Sequence, residues 1–477
     1  MSILTSSLPY SSLTYLVDLI DLIQLTLFTL ASRKYPPHQA LSTLTITTIT
    51  TMADEIPTVQ ILDKENYFSQ ALVPLPNALP YAPLPPSSLR LRTSVLSLTV
   101  NNFTYAALGT VLKWWDVHPL PPSTPAPYND SAKYGRISAW GYAEVLDSTV
   151  PSIPAGSHVW GYVPLGTLPE DLSVKLHPEI SDQIFVTSAH RQHVMPIYNR
   201  YFVYLPSTPR GREIAQKTAG VAYDAALRVM HATAFLMASF VFSADAARVV
   251  APGPGPDDPA SSAWSAQDAD LAGATVLIFA PGSKAAVIFA ALLRGRKESE
   301  GRPRRIIGVS SEASRAFVQG TGIYDDVLLT TADPATGLDV AGANAGRVVV
   351  FDFGGRAGVG PRWATSLAQR HADLLFVGVG SGLLDPSAVG AVLAQAAVQP
   401  PYRAVRVNAD DMRRRAMKQV GEEKYWGQEA QSWEGFRRDG VKGFGVVWGS
   451  GMEDVIKGWD RLANGEVIPS EGLVYKL

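Results

Sequence analysis

Between residues 275 and 407 the sequence alternates between short apolar runs and segments with helical periodicity, and this alternation constrains the fold more than any other feature. The helical segments include one that runs through Leu293, and also Ser314–Gln319, Trp363–Arg370 and Pro386–Gln395. The apolar runs are Thr275–Ala280, Arg305–Val309, Asp326–Leu329, Arg347–Phe351, Asp373–Val377 and Arg403–Val407. Strands that are apolar throughout and alternate with helices are typical of a parallel sheet covered on both faces. The sequence therefore predicts a doubly wound α/β nucleotide-binding domain, which we assign to residues 223–410.

The part of the chain before this domain, from about Val59 to Pro206, has short apolar runs broken by turn residues and prolines. Examples are Ser94–Asn101, Gly141–Val145 and His158–Val163. Many short strands with frequent turn signals indicate a mostly β, barrel-like substrate domain, which we assign to residues 53–222. Strand-like runs return after the charged, helical segment Asp410–Arg438, at Val446–Trp448 and Leu473–Lys476. Residues 411–477 are therefore expected to complete the same domain, which is then discontinuous.

The chain has no cysteine among its 477 residues. This excludes disulfides, a catalytic thiol, thiolate zinc sites and iron–sulfur clusters, and it is compatible with a cytoplasmic location. His190 and His193 are three residues apart with no glutamate between them, unlike the zinc-binding pair at i, i+4, so we predict no metal site. The formal net charge is −2, and the basic run Arg294–Arg305 contains two glutamates and no aromatic residue. We therefore expect a solvated loop there and no nucleic-acid partner.

Residues 1–52 form a low-complexity extension. The apolar stretch Tyr15–Ala31 is interrupted by Asp18 and Asp21, whose burial in a bilayer would be costly, so we expect no stable membrane insertion. A secretory signal or a mitochondrial presequence fits poorly because basic residues are nearly absent. We interpret the extension as disordered or misannotated, with the natural start at Met52, and a weak membrane-surface anchor is the alternative.

The turn after the first apolar run is the first candidate for cofactor binding, because ligands of a doubly wound sheet bind outside the carboxyl ends of the strands. Its sequence, Pro281–Ala285 (PGSKA), is not a G-x-G-x-x-G fingerprint. It still offers Gly282, the Ser283 hydroxyl, the Lys284 ammonium and free backbone N–H groups at a helix N-terminus, which are the groups that bind a pyrophosphate. An ordinary tight turn with a solvated lysine is the alternative.

The end of the second run indicates which nucleotide the domain prefers. Ser310 and Ser311 stand there, and Arg315 follows one turn into the next helix. An NAD-binding domain usually has an acidic residue at this place, whereas hydroxyl groups beside an arginine suit a 2′-phosphate. NADP(H) is therefore favoured as the cofactor, with Arg315 as a plain surface residue as the alternative.

Glycine-containing turns follow two later runs, at Asp352–Gly355 and Gly378–Gly382. Glycine lets the backbone approach a ligand closely. In this topology Asp352, Gly378 and Gly380 are expected to border the nicotinamide and its ribose, and plain turn chemistry is the alternative.

Taken in this order, the motifs resemble the medium-chain dehydrogenase/reductase superfamily. The matching segments are Asn101–Ala106 (NNFTYA), Gly141–Val163 and Gly465–Lys476 (GEVIPSEGLVYK). From about residue 57 onward the chain more closely resembles an uncharacterised family within it, the domain-of-unknown-function 2855 family. That likeness rests on Asn101–Ala106, Met195–Tyr201, Ala232–Phe240, Pro281–Ala285, Gly322–Asp326 and Asn408–Arg415. The resemblance implies a GroES-like barrel beside a Rossmann-type domain, although Ser157 stands where the superfamily usually has Asp.

The resemblance also implies a zinc-free, NADPH-dependent oxidoreductase that reduces an activated C=C bond, a carbonyl or a quinone of a small organic molecule. Tyr105 is then the candidate proton donor or carbonyl hydrogen-bonder, with Asn102 and Thr104 orienting the substrate or the nicotinamide. His190 and Tyr198 belong to a second polar cluster that is expected to face the cleft. A buried structural role is the alternative for Tyr105.

Three further expectations follow from the same resemblance. Relatives of this architecture often pair the edge strands of their nucleotide domains, which suggests a homodimer. A non-redox enzyme, such as a lyase or decarboxylase on the same scaffold, stays open as an alternative function. A non-catalytic NADPH-binding protein is the other alternative.

Overall fold

The computed structural model describes residues 56–78, 81–253, 263–340, 346–354, 358–380, 382, 385–390 and 400–477. The predictions for residues 1–52, and for part of the helix expected at Pro386–Gln395, lie outside the described residues. Among those that are described, one helical stretch, Ala219–Val241, is long and apolar enough to cross a membrane, and 72% of its most apolar window is buried inside the protein.

The strands and helices are numbered in chain order. The strands are β1 (Thr58–Asp63), β2 (Gln70–Pro74), β3 (Ser88–Leu98), β4 (Tyr134–Gly135), β5 (Ser138–Ser148), β6 (His158–Pro164), β7 (Glu170–Leu176), β8 (Gln183–Val186), β9 (Arg200–Tyr204), β10 (Thr275–Phe279), β11 (Arg305–Ser310), β12 (Asp326–Leu329), β13 (Val348–Asp352), β14 (Leu374–Gly378), β15 (Arg403–Arg406), β16 (Gly445–Ser450) and β17 (Glu471–Lys476). The longer helices are α1 (Val100–Ala107), α2 (Pro209–Ala215), α3 (Ala219–Leu236), α4 (Lys284–Arg294), α5 (Glu312–Thr321), α6 (Pro334–Val340), α7 (Val359–Ala368), α8 (Ala409–Val420), α9 (Glu422–Asp439) and α10 (Gly451–Ala463).

The predicted nucleotide-binding region contains a six-stranded parallel sheet in the order β12-β11-β10-β13-β14-β15. Successive residues of its central strand β10 point to opposite faces. Val276 and Ile278 pack in one hydrophobic cluster, whereas Leu277 and Phe279 pack in another. Both faces of the sheet are therefore covered, and the predicted doubly wound α/β fold is confirmed.

The barrel-like part is a closed antiparallel ring. Strands β3, β5, β6, β9, β8 and β7 follow one another in the sheet, and β7 pairs back onto β3. The C-terminal end of β3 also pairs with β17 in an antiparallel arrangement, and β17 pairs with β16 in parallel. The tail of the chain thus joins the barrel sheet, while the exact domain boundaries stay a prediction.

The strand expected at Ser94–Asn101 ends earlier, at Leu98, and helix α1 begins at Val100. The reason is a capping box, in which the Asn102 side chain accepts a hydrogen bond from the Thr99 backbone at 2.8 Å. This interaction satisfies donors at the start of a helix. The apolar run in the sequence therefore extends past the end of strand β3 and into the start of helix α1.

Helix α10, between β16 and β17, was not predicted. Its buried side chains Met452, Val455, Trp459 and Leu462 recur at helical spacing. Trp459 Nε1 also donates to the backbone oxygen of Tyr67 at 3.1 Å. The β16–α10–β17 unit is therefore anchored to the barrel end of the molecule by its apolar face.

Candidate functional site

The predicted cofactor residues lie at one edge of the parallel sheet. Phe279, Asp352 and Gly378 are register partners across β10, β13 and β14. Ser310, the last residue of β11, lies at the same carboxyl edge on the other side of β10. Since β10 lies between β11 and β13, the order of the strands reverses there, which is where ligands of such sheets bind.

The turn after β10 is held in a tight and strained geometry. Ala280 has a φ of 52°, which is unfavourable for a residue with a side chain. The Tyr324 hydroxyl donates to the Pro281 carbonyl oxygen at 2.7 Å. A side chain at Gly282 would come within 3.0 Å of Pro469. Backbone strain at Ala280, the buried Tyr324 hydroxyl and the close approach of Pro469 to Gly282 therefore fix this turn.

Ser283 is the N-cap of α4, yet its side chain makes no capping hydrogen bond. Its Oγ atom is buried and has no hydrogen-bond partner among the described residues. The first backbone N–H groups of a helix also lack partners within the helix. An unpartnered hydroxyl beside these groups fits a ligand that only accepts hydrogen bonds, such as a phosphate oxygen.

Lys284, the next residue, does not extend into solvent as a free cation. Its Nζ donates to the Glu471 backbone oxygen at 2.9 Å and lies 5.6 Å from the centre of the Phe444 ring. Burial lowers the pKa of Lys284 to about 8. The structure therefore gives Lys284 a contact with the tail of the chain in addition to its place in the predicted phosphate loop.

The residues expected to bind the 2′-phosphate lie together after β11. The Ser310 hydroxyl donates to the Ser311 backbone oxygen at 3.0 Å, and Ser311 Oγ is 3.2 Å from Ser314 Oγ. Arg315 is half-exposed and lies 3.6 Å from the exposed Glu312 carboxylate. Exposed ion pairs of this kind contribute little, so Arg315 can exchange this contact for a ligand.

The glycine-containing turns are tied to each other by the Asp352 backbone. Its carbonyl oxygen accepts hydrogen bonds from Val379 N at 2.8 Å and Gly380 N at 3.3 Å. Its side chain accepts from Gly354 N at 3.0 Å. Asp352, Gly378 and Gly380 therefore lie close together at the sheet edge.

On the barrel side, Tyr105 lies on α1 and is only 3% exposed. Its Oη accepts hydrogen bonds from Asn101 Nδ2 at 2.6 Å and from Trp140 Nε1 at 2.8 Å. Burial raises the pKa of Tyr105 to about 12, with hydrogen bonds from Trp140, Tyr198 and Asn101 opposing it. The phenol is therefore neutral at physiological pH.

Tyr198 packs against Tyr105, with ring centroids 5.8 Å apart. Burial raises the pKa of Tyr198 well above its usual value, and charges on Asp410 and Arg413 act on the same hydroxyl. Both of these charged residues lie on α8, which follows the sheet edge after β15. Helix α8 therefore connects the aromatic cluster of the barrel with the cofactor side.

The other predicted catalytic residues have different surroundings. Both ends of the Asn102 amide are engaged, because its Nδ2 donates to the Ser138 carbonyl at 2.9 Å and its Oδ1 caps α1. Thr104 is half-buried on the same helix, and His190 is exposed in a short turn. The structure therefore places Tyr105 and Tyr198 together and His190 outside their cluster. Among the described residues no group of His, Cys, Asp and Glu side chains could hold a metal ion.

Two buried charge clusters were not found from the sequence. Glu170 lies 2.5 Å from Arg136 and also contacts His118, and all three are largely buried. Asp224 accepts hydrogen bonds from Tyr142 at 2.8 Å and Trp433 at 3.0 Å. Only the Asp224 cluster could have been predicted from the sequence, because Asp224 interrupts an otherwise apolar helical pattern.

A closed antiparallel barrel combined with a parallel sheet that reverses its order beside the first strand is the architecture that the resemblance stated above implied. Residues 96–468 match the family described as "Protein of unknown function (DUF2855)", and the chain belongs to that family. No curated protein matches the chain.

Solved structures with a similar chain trace were also found. CurA from Vibrio vulnificus in complex with NADPH is 11% identical, with 88% of this chain and 98% of that chain covered and a TM-score of 0.48. A putative NADPH:quinone reductase from Bacillus thuringiensis is 12% identical, with coverages of 89% and 99% and a TM-score of 0.47. The mitochondrial 2-enoyl thioester reductase Etr1p/Etr2p heterodimer from Candida tropicalis is 11% identical, with coverages of 89% and 100% and a TM-score of 0.49. At TM-scores below 0.5 these likenesses carry no conclusion about the reaction of this chain.

Proposed function

We propose that the protein is an NADPH-dependent, metal-independent oxidoreductase that reduces an activated C=C bond, a carbonyl or a quinone of a small organic molecule. The observation that carries the proposal is the buried, unpartnered Ser283 hydroxyl at the N-terminus of α4, at the point where the strand order reverses. A buried polar atom without a partner costs free energy unless a ligand satisfies it. A pyrophosphate at this helix end supplies the missing acceptor.

The choice of NADP(H) rests on the residues after β11. Ser310, Ser311 and Arg315 offer hydroxyl groups and a guanidinium within one helical turn. The ion pair of Arg315 within the described part of the chain is with the exposed Glu312. A 2′-phosphate accepts charge-assisted hydrogen bonds from a guanidinium, whereas a 2′-hydroxyl gains much less from it.

When bound, the nicotinamide supplies the hydride. The protein then has to orient the acceptor and hold a proton near it, and we assign this role to Tyr105. Its hydroxyl is neutral because burial raises its pKa to about 12, so it carries the proton that a developing oxyanion needs. Tyr198 is its partner, and Asn102 acts as a positioning residue that holds α1. The homodimer and the cytoplasmic location stay predictions.

The test is a calorimetric titration of the full chain with NADPH and then with NADH. We expect NADPH to bind at least about tenfold more tightly, a difference of about 1.4 kcal/mol. Arg315→Ala removes this preference, while Arg438→Ala, at an arginine 79% exposed on α9, leaves it unchanged. Absence of binding by both nucleotides contradicts the proposal. Tight NADPH binding without NADPH consumption, across enones, quinones and aldehydes, supports the non-redox or non-catalytic alternatives instead.

A further inference from the structure

Arg413 on α8 is a buried cation whose hydrogen-bonding capacity is only partly used. The residue is 5% exposed, and neither Nε nor Nη1 has a hydrogen-bond partner among the described residues. The ion pair that it forms is with Asp410, at 3.8 Å between Nη1 and Oδ1, which is too long for a hydrogen bond. A guanidinium removed from water without hydrogen-bonded acceptors is costly, so it fits a ligand that supplies them.

A side chain beside Arg413 adds one more unused donor. The guanidinium lies 5.9 Å from the Trp426 ring, which packs edge-on against Tyr425 with ring centroids 4.9 Å apart. The Trp426 indole N–H is buried and lacks a hydrogen-bond partner within the described chain, whereas the Tyr425 hydroxyl interacts with Arg413 itself. Guanidinium and indole N–H groups donate only. A ligand that only accepts hydrogen bonds therefore matches this cluster.

The Glu429 carboxylate is a possible hydrogen-bond acceptor in this region, but it already interacts with another residue. The Glu429 carboxylate is 3.5 Å from His231. Burial alone would raise the pKa of Glu429, but His231 and Arg228 outweigh it and lower the pKa. Glu429 is therefore held as a carboxylate by His231 and Arg228, with the Arg413 charge acting in the same direction, and its Oε1 atom has no hydrogen-bond partner among the described residues.

Arg413 also lies on the helix that follows the carboxyl edge of the parallel sheet. Its helix begins at Ala409, directly after the carboxyl edge of the parallel sheet, where Val407 N donates to the Gly378 carbonyl at 3.0 Å. Its charge acts on the hydroxyl of Tyr198, the partner of Tyr105.

We propose that Arg413 binds a carboxylate group of the substrate, so that the acceptor is a small unsaturated or carbonyl-containing carboxylic acid. The proposal rests on the proposed oxidoreductase function and specifies its substrate class. The planar guanidinium matches a carboxylate through two parallel hydrogen bonds. Trp426 and Tyr425 lie beside the guanidinium and limit the access of water to this pair.

The experiment compares 4-oxo-2-pentenoate with its methyl ester, which share the alkene and the ketone and differ in the carboxylate. Both are titrated calorimetrically into the full chain saturated with NADP⁺, so that binding is measured without turnover. We expect the acid to bind at least about tenfold more tightly than the ester, the effect of a charge-assisted hydrogen-bonded pair. Arg413→Gln should bring the two affinities to within about twofold, and Arg413→Lys should keep part of the preference for the acid.

Arg414→Gln is the matched control, because Arg414 is the next residue on α8 and is 61% exposed. It should keep the preference of the unmodified chain. Equal binding of acid and ester, a preference that survives in Arg413→Gln, or no binding of either compound overturns the proposal. The NADP⁺ affinity of each variant is measured in the same series, so that a failure to bind the nucleotide, which would contradict the oxidoreductase itself, is told apart from a wrong substrate class.

Discussion

Lys284 Nζ donates a hydrogen bond to the backbone oxygen of Glu471 at 2.9 Å, and this bond joins the first turn of α4 to the first residue of β17. The predicted phosphate loop is therefore attached to the tail of the chain, which itself pairs with the barrel strand β3. A cation in this position connects the cofactor side of the molecule with the barrel side. Its protonation state should consequently influence the stability of the folded chain.

Lys284→Met tests this influence. Burial lowers the pKa of Lys284 to about 8 in the folded chain, against 10.5 for the ordinary side chain. Between these pH values the unfolded state binds more protons, so the free energy of unfolding rises with pH through this window. We expect the increase in the free energy of unfolding with pH to be about 3 kcal/mol smaller in the variant than in the unmodified chain. Urea unfolding at pH 7 and pH 10.5 measures it, with Lys175→Met at an exposed position as the control. An identical rise in the variant contradicts the assignment.

Ser283→Ala should weaken NADPH binding about five- to tenfold, the effect of one lost hydrogen bond of about 1 kcal/mol. It should not lower the melting temperature of the nucleotide-free chain, because the hydroxyl has no partner within the described residues. Ser265→Ala is the opposite case. Ser265 caps a short helix through the Asp268 backbone, so its loss should lower stability by about 1 kcal/mol and leave NADPH binding unchanged. If Ser283→Ala binds NADPH normally, Ser283 does not contact the pyrophosphate.

Tyr105→Phe should reduce turnover at least about tenfold and leave the affinity for NADPH nearly unchanged. The substitution also removes the acceptor of two hydrogen bonds, from Asn101 and from the buried Trp140. We therefore expect a loss of about 1–3 kcal/mol in the free energy of unfolding. Steady-state kinetics, nucleotide titration and urea unfolding together separate the two effects. Unchanged turnover would remove Tyr105 from the proposed role.

Glu170→Gln should destabilise the barrel by about 3–5 kcal/mol, because it leaves the Arg136 guanidinium buried without its counter-charge and weakens the contact with His118, whose pKa is lowered by burial. Burial alone would raise the pKa of Glu170, but these two partners outweigh it and hold the pKa well below its usual range. The stabilisation is present above the ordinary carboxyl pKa and disappears as the pH falls through the folded value.

The measurement for this cluster is urea unfolding between pH 7 and pH 3. The difference between the unmodified chain and Glu170→Gln should shrink toward acid pH. Glu65→Gln, at an exposed glutamate, should differ little from the unmodified chain at any pH. A constant difference would show that the carboxylate charge is not what stabilises the cluster.

The parallel sheet could be predicted from the sequence because its central strands are nearly continuous apolar runs. Strand β10 is buried at every residue, and such a run leaves a pattern that needs no knowledge of its partners. The closed barrel was recognisable only as a class, since the pairing of β7 with β3 joins segments that no local pattern connects. Helix α10 was not predicted although its apolar spacing is regular, because charged residues and glycines separate its apolar positions and the runs on either side of it are strand-like.

The candidate site was predictable in its backbone features and not in its side-chain partners. The position of the turn around Gly282, and the alignment of Asp352 with Gly378 on neighbouring strands, follow from where the strands end. The contact of Lys284 with Glu471 could not be foreseen, because it depends on how the tail returns. Arg413 looked like one of several arginines in a charged helix, and only its burial distinguishes it from Arg414.

The pairing of β17 with β3 has a consequence for synthesis on the ribosome. Ser97 Oγ donates to the Leu473 backbone oxygen at 2.8 Å, across 376 residues of chain. Translation delivers β3 early and β17 late, so the nascent protein carries an exposed strand edge during nearly the whole of its elongation. Exposed edges recruit other strands. The protein should consequently depend on holding chaperones until β17 has left the exit tunnel, and slow decoding upstream of Glu471 should increase its aggregation in cells.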